Sequence, residues 1–146
     1  MSLRARRSKT KNASKTKMIT QGIINPNVLD LLCRIRHTNM LVIADAAFPF
    51  WPEIETVDLT LVRGIPTIIQ VLDAVMPNFK AGPIYMAEEF KRTNPQSTQD
   101  AFAKACRGVE ITFEPHLEFK KRVPHSIGLI RTGDTTAYGN MILVSV

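Results

Sequence analysis

The run Met40-Leu41-Val42-Ile43-Ala44 constrains this chain's fold more than any other stretch. It is apolar at every position, and the next polar residue, Asp45, comes just before a loop set by Pro49 and Pro52. Continuous rather than alternating hydrophobicity marks a strand buried on both faces. Such a strand needs one layer of structure above it and another below. It is also bracketed by ionisable residues, with His37 before it and Asp45 at its end. The expectation is that both groups face one small polar site.

The flanking patterns agree with a layered fold. Asn25-Pro26 starts a helix, because Asn caps free amides and Pro in the first turn gives up an N–H that has no partner there. Val28, Leu31, Leu32 and Ile35 then recur at helical spacing to about Arg36. Residues 57–62 read as a second strand, stopped at Gly64, and Pro66 opens a helix with Ile68, Ile69, Leu72, Val75 and Met76 on its apolar side. Residues 83–87 read as a third strand. Asn94-Pro95 starts a helix that turns Ala101, Phe102 and Ala105 inward and stops at Gly108. Residues 110–114 alternate as a strand does, and Pro115 leads into a short helix over 116–122. Residues 127–131 and 141–146 close the chain as strands. Strands alternating with helices predict an α/β fold: a three-layer α/β/α single domain over residues 19–146, with a mostly parallel, mixed sheet. Ligands on such sheets bind beyond the carboxyl ends of the strands, which singles out Asp45, Glu88, Glu89 and the 131–140 loop.

Charge narrows the partners. The net charge of +6 belongs entirely to residues 1–18, which hold seven Lys and Arg and no acid, leaving 12 basic and 13 acidic groups on the rest. The body therefore has no electrostatic reason to bind nucleic acid or anionic lipid. The tail reads as disordered and solubilising. Only steeply salt-dependent DNA binding, lost on deleting it, would give it a nucleic-acid role. No run reaches the ~18 apolar residues that cross a bilayer, and no apolar stretch follows the basic start as in a secretory signal. Cys33 and Cys106 lack metal-ligand spacing and read as two small buried apolar side chains in a reducing, cytoplasmic setting.

The candidate chemistry is modest. Asp45 ends a buried strand and needs partners there, either as a structural cap of the Pro-rich loop or as a ligand group. His37, at a helix C-terminus, is either a cation near the dipole or a proton carrier near neutral pH. The spacings of His37, His116 and His125 match no metal signature, so no metal is expected. No P-loop, G-x-G-x-x-G or G-x-S-x-G is present, and no cofactor is expected. In the stretch 131–141, RTGDTTAYGNM, Gly133 and Gly139 permit unusual backbone angles, and Tyr138 and Asn140 can serve a neutral polar ligand. A plain tight turn is the alternative there. Phe50 and Trp51 suit an apolar wall against a sugar or a subunit, or ordinary core packing.

Six stretches, INPNVLDLL, RHTNMLVIADAAFP, VDLTLVRGIPTIIQVLDAV, MAEEFKRTNP, HLEFKK and LIRTGDTTAYGNMIL, together resemble the D-ribose pyranase and L-fucose mutarotase family of sugar-ring isomerases in order and spacing. The resemblance runs from about Gly22 to Val146. It implies a metal-independent isomerase of a free monosaccharide, working by acid–base ring opening. It gives His37 the role of proton donor and Asp45 that of a sugar-binding carboxylate. His116 becomes a further ligand contact, and Tyr138, Gly139 and Asn140 the segment that holds the sugar hydroxyls. It also implies ring-shaped oligomers, typically decamers of two pentameric rings, with sites between neighbouring subunits. The chain departs from the family's usual pattern at Asn39, where an acid is common after the histidine, and at Ala46-Ala47. His116 with the MAEEFKRTNP stretch lies on the ribose side, and Tyr138-Gly139-Asn140 on the fucose side. The first expectation is D-ribose pyranose–furanose interconversion. An L-fucose-type mutarotase and a non-catalytic sugar-binding or regulatory protein of the same fold are the alternatives.

Overall fold

The computed structural model describes residues 18–146, so the tail expected over 1–18 lies, but for Met18, outside the described residues. Helix α1 (Pro26–Arg34) is capped by Asn25, whose side-chain oxygen accepts the amides of Asn27 and Val28 at 3.0 Å each. Strand β1 (Met40–Ala44) follows a turn in which Thr38 takes a left-handed φ of 71°. Asn39 Oδ1 accepts the Arg36 amide in that turn at 2.7 Å. Strand β2 (Glu55–Asp58) lies earlier than the 57–62 pattern predicted. The apolar residues beyond it form a tight hairpin instead, where the Leu61 N–H donates to the Ile65 carbonyl at 3.1 Å. Leu61, Val62 and Ile65 are exposed there.

Helix α2 (Ile68–Val75) is opened by Thr67 rather than Pro66: Thr67 and Gln70 form a reciprocal capping box. Strand β3 (Ala81–Ala87), short helix α3 (Glu89–Thr93), helix α4 (Gln96–Ala105), strand β4 (Ile111–Glu114), helix α5 (His116–Arg122), strand β5 (Gly128–Arg131) and strand β6 (Met141–Ser145) complete the order.

The strands form one six-stranded sheet in the order β2-β5-β1-β6-β3-β4. The β1/β5, β2/β5 and β3/β4 pairings are parallel, while β6 runs antiparallel to both β1 and β3. The sheet is therefore mixed, with a reversed strand in its middle. Because β1 sits between β5 and β6, the connection 132–140 arches over the carboxyl end of β1. This crossing places the polar loop above Asp45.

Strand β1 feeds two cores, as a doubly buried strand must. Leu41 and Ile43 pack with Leu31 of α1, Ile68 and Leu72 of α2, and Phe102 of α4 on one face. Val42 and Ala44 pack with Phe48 and with Phe119 and Val123 from α5 and the turn after it on the other. All four strand residues are fully buried. Gly128 in β5 lets α1 seat against the sheet, since a Cβ there would meet Leu31 Cδ1 at 2.5 Å. Cys106 is buried, and burial pushes its thiol up to about 11. Cys33 is exposed, so only one of the two cysteines is the buried side chain expected. No described helix is long and apolar enough to cross a membrane.

Candidate functional site

The β1/β6 register sets the site. Ile43 faces Met141 across the antiparallel pair, so the residue leaving β1 meets the residue entering β6. The Asp45 N–H donates to Asn140 Oδ1 at 2.7 Å, across 95 residues of sequence. Asp45 Oδ1 accepts the Ala47 N–H at 3.1 Å. Burial holds the Asp45 carboxyl above the ordinary carboxylate range; hydrogen bonds from Ala47, Asn140 and Phe48 oppose this, and nearby Asp134 adds to it.

His116 enters from the other side as the first residue of α5. Its N–H donates to Glu89 Oε2 at 2.9 Å, so a half-buried carboxylate from α3 supplies the cap that Pro115 cannot. The His116 ring stands edge-on to Tyr138, centroids 5.1 Å apart and planes at 81°. It stacks over Phe119 at 6.2 Å. Tyr138 itself holds a left-handed φ of 55°. The unusual angle expected at the loop glycines falls on this tyrosine instead. Gly133 and Gly139 serve close packing: a Cβ on Gly133 would press into the carbonyl oxygens of Ile65 and Val62, and one on Gly139 would crowd Ile68 and Phe102 at 3.3 Å.

These side chains enclose a cavity of about 230 Å³, with Asp45, His116, Lys120, Tyr138 and Asn140 as its polar lining and Ala47, Phe48 and Pro49 among its apolar lining. A wider hollow of about 530 Å³ adjoins it through Asp45, Ala47 and Ala137 and carries Thr60, Arg63, Thr135 and Thr136. The smaller cavity combines directional hydrogen-bond groups with aromatic rings, which suits one polyhydroxylated ring. Lys120 was not singled out from sequence. It lies one helical turn after His116 and so shares its face, a signal that counts only once His116 is in the site. Among the described residues no group of three or more His, Cys, Asp or Glu is placed to hold a metal ion.

His37 is elsewhere. It is exposed before the amino end of β1, whereas Asp45 follows the carboxyl end. About 17 Å of strand separates those two ends. Within one copy the two ionisable groups do not share a site, contrary to the reading of one site at both strand ends. Phe50 is exposed, and Trp51 is half-buried against Phe48 with ring centroids 6.5 Å apart.

Against known proteins, residues 18–146 match the RbsD / FucU transport protein family. A D-ribose pyranase of Geobacillus kaustophilus is 39% identical over 128 residues, covering 88% of this chain and 93% of that protein. A D-ribose pyranase of Lactobacillus gasseri is 39% identical over 124 residues, covering 85% of this chain and 94% of that protein. The structure of Bacillus subtilis RbsD complexed with D-ribose superposes with a TM-score of 0.80 at 30% identity, covering 88% of this chain and 97% of that one. The fucose mutarotase of Streptococcus pneumoniae in complex with L-fucose shares the fold, with a TM-score of 0.71 at 20% identity, covering 84% of this chain and 92% of that one.

Proposed function

The chain belongs to the RbsD / FucU transport protein family, and from that premise we propose that it interconverts ring forms of a free monosaccharide, D-ribose between pyranose and furanose. The observation that carries this is the 230 Å³ cavity, where Asp45, His116, Tyr138 and Asn140 converge from β1, α5 and the arch into β6. Relatives named D-ribose pyranase, matching over most of their length, supply the substrate.

Ring opening breaks the bond between the anomeric carbon and the ring oxygen. A proton is delivered to that oxygen, the anomeric hydroxyl gives one up, and an open-chain aldehyde results. Closure through a different hydroxyl then yields the other ring size. His37 is the proton donor in this account, because imidazole releases and recovers a proton near neutral pH. Asp45, His116, Tyr138 and Asn140 hold the hydroxyls. His37 acts on a sugar held by Asp45 of a neighbouring copy, since one chain keeps the two at opposite ends of β1. This supports a homo-oligomer with shared sites, in the ring-shaped decamer that the resemblance implies. The exposed apolar hairpin of Leu61, Val62 and Ile65, on the rim of the adjoining hollow, is a surface another copy would cover. The free cysteines fit a reducing cytoplasm.

Magnetisation-transfer NMR on D-ribose and L-fucose tests this reading. Faster pyranose–furanose exchange of ribose is expected, falling about 10²–10⁴-fold in His37→Ala. Acceleration of fucose anomer exchange alone would make the protein a mutarotase. Line broadening without faster exchange of either sugar would make it a sugar-binding protein. Asn39 does not itself argue for that outcome: its side-chain oxygen is engaged with the Arg36 amide, a bond an acid would make equally well.

A further inference from the structure

We propose that Asp134, which lines neither hollow beside Asp45, is a positioning residue that fixes Asp45 and Asn140 in the orientation in which they face the cavity. This rests on the sugar-binding reading of that cavity. Asp134 is only 6% exposed, and no cation pairs with it among the described residues. A buried carboxylate persists only where hydrogen bonds compensate it. Here two reach the carboxylate, and a third is accepted by the residue's own main-chain carbonyl. Oδ2 accepts the Ile68 N–H at 2.8 Å, at the first residue of α2, where free amides favour an anion. Oδ1 accepts the Thr136 N–H at 2.7 Å, in the arch itself. The Asp134 carbonyl accepts the Ala46 N–H at 2.9 Å, the residue after Asp45.

The bonds around Asp45 complete the clamp. The Ala44 carbonyl accepts the Thr132 N–H at 2.9 Å and the Thr132 hydroxyl at 2.8 Å. That same hydroxyl oxygen accepts the Asp134 N–H at 3.1 Å. Asp45 gives its own N–H to Asn140. Residues 44, 45 and 46 are thus each bonded to the arch, and Asp134 ties the arch to α2. Two N–H donors need two acceptor oxygens. An asparagine offers one oxygen, and its NH₂ would face the other donor. Asp134→Asn should therefore release either the α2 end or the arch.

The test is a ribose titration followed by NMR on wild type and Asp134→Asn, with the Asp45 carboxyl carbon followed against pH in both. The titratable groups facing Asp45 are His116 and Lys120 from α5, Tyr138 from the arch, Arg63 from the hairpin across the wider hollow, and Asp134 behind it. The expected variant is folded and binds ribose about tenfold more weakly, since one buried donor has lost its acceptor. Its Asp45 midpoint moves to lower pH, because the neighbouring negative charge is gone. Unchanged affinity with an unchanged Asp45 midpoint would overturn the proposal. So would an affinity loss that leaves the Asp45 midpoint and the Ala46 amide where they were, since that loss would be structural. If the variant does not fold, amide exchange in the wild type decides. Saturating ribose should slow exchange at Ile68 and Thr136 together with Ala46, and unchanged Ile68 and Thr136 would refute the clamp. A wild type that binds no ribose would defeat the sugar reading alone, and an Ala46 amide unmoved in Asp134→Asn would still overturn the clamp.

Discussion

Asp45 is the residue on which function and stability pull apart. Burial raises its carboxyl above the ordinary range, so protonation begins at a higher pH than for an exposed aspartate. A carboxylate accepts sugar hydroxyls that a protonated acid accepts less well, so ribose affinity should fall on acidification with a midpoint above that of a free Asp side chain. A titration of affinity against pH checks this. The stability sign is the reverse. A carboxyl raised in the folded state favours folding below its unfolded pKa, and that contribution is lost as pH rises through the raised value. At neutral pH the charge weighs against the fold, so Asp45→Asn should raise Tm while ribose binding drops. A lower Tm at pH 7 would contradict this. Strand ends and a turn-rich loop mark where ligands bind, which points to Asp45, Tyr138 and Asn140, while His116 at the start of a helix was indicated by the family resemblance alone; the four line one cavity. The inward role of Lys120 and the clamp of Asp134 were not legible in the sequence. Both depend on contacts between segments far apart in the chain, which no local pattern encodes.

At the scale of elements, α5 carries two of the cavity's polar groups and has no cap of its own. Glu89→Ala should loosen its first turn and weaken ribose binding several-fold, while Glu89→Gln, which keeps an acceptor oxygen, should recover most of it. Equal losses in the two variants, measured by the same titration, would count against capping. Gly133→Ala should cost about 1–3 kcal/mol in chemical denaturation, because its Cβ enters backbone rather than a flexible side chain. The helix opened by Asn25 and the strands over 40–44, 128–131 and 141–145 follow from a cap and apolar runs. Helix α4 begins after Pro95 as expected, but Asn94 ends α3 and gives its side-chain amide to the Phe90 and Ala137 carbonyls instead of capping α4. The second strand was displaced in the sequence reading because Leu59, Leu61 and Val62 prolong its apolar pattern into a hairpin. Helix α3, five residues long and mostly polar, offers no periodicity to detect. Strand direction is equally silent. The apolar run of β6 reads the same whether it lies parallel or antiparallel, so the reversed central strand, and with it the arch over Asp45, could not be read in advance.

At the scale of the whole molecule, the sheet is both support and spacer. It brings Asp45 and Asn140 together at one end of β1 and keeps His37 at the other. A catalytic site using His37 and Asp45 therefore has to be shared between copies. The expected oligomer is checked by light scattering, and a monomer that still turns over ribose would contradict it. The most direct test is complementation. His37→Ala and Asp45→Asn, each inactive alone, are co-expressed with different tags and purified as mixed assemblies, and ribose pyranose–furanose exchange is measured by magnetisation transfer. With random assembly about a quarter of the shared sites receive an intact His37 from one copy and an intact Asp45 from its neighbour, and activity should return to about that fraction of wild type. Mixed assemblies as inactive as either parent would contradict a site shared in this way.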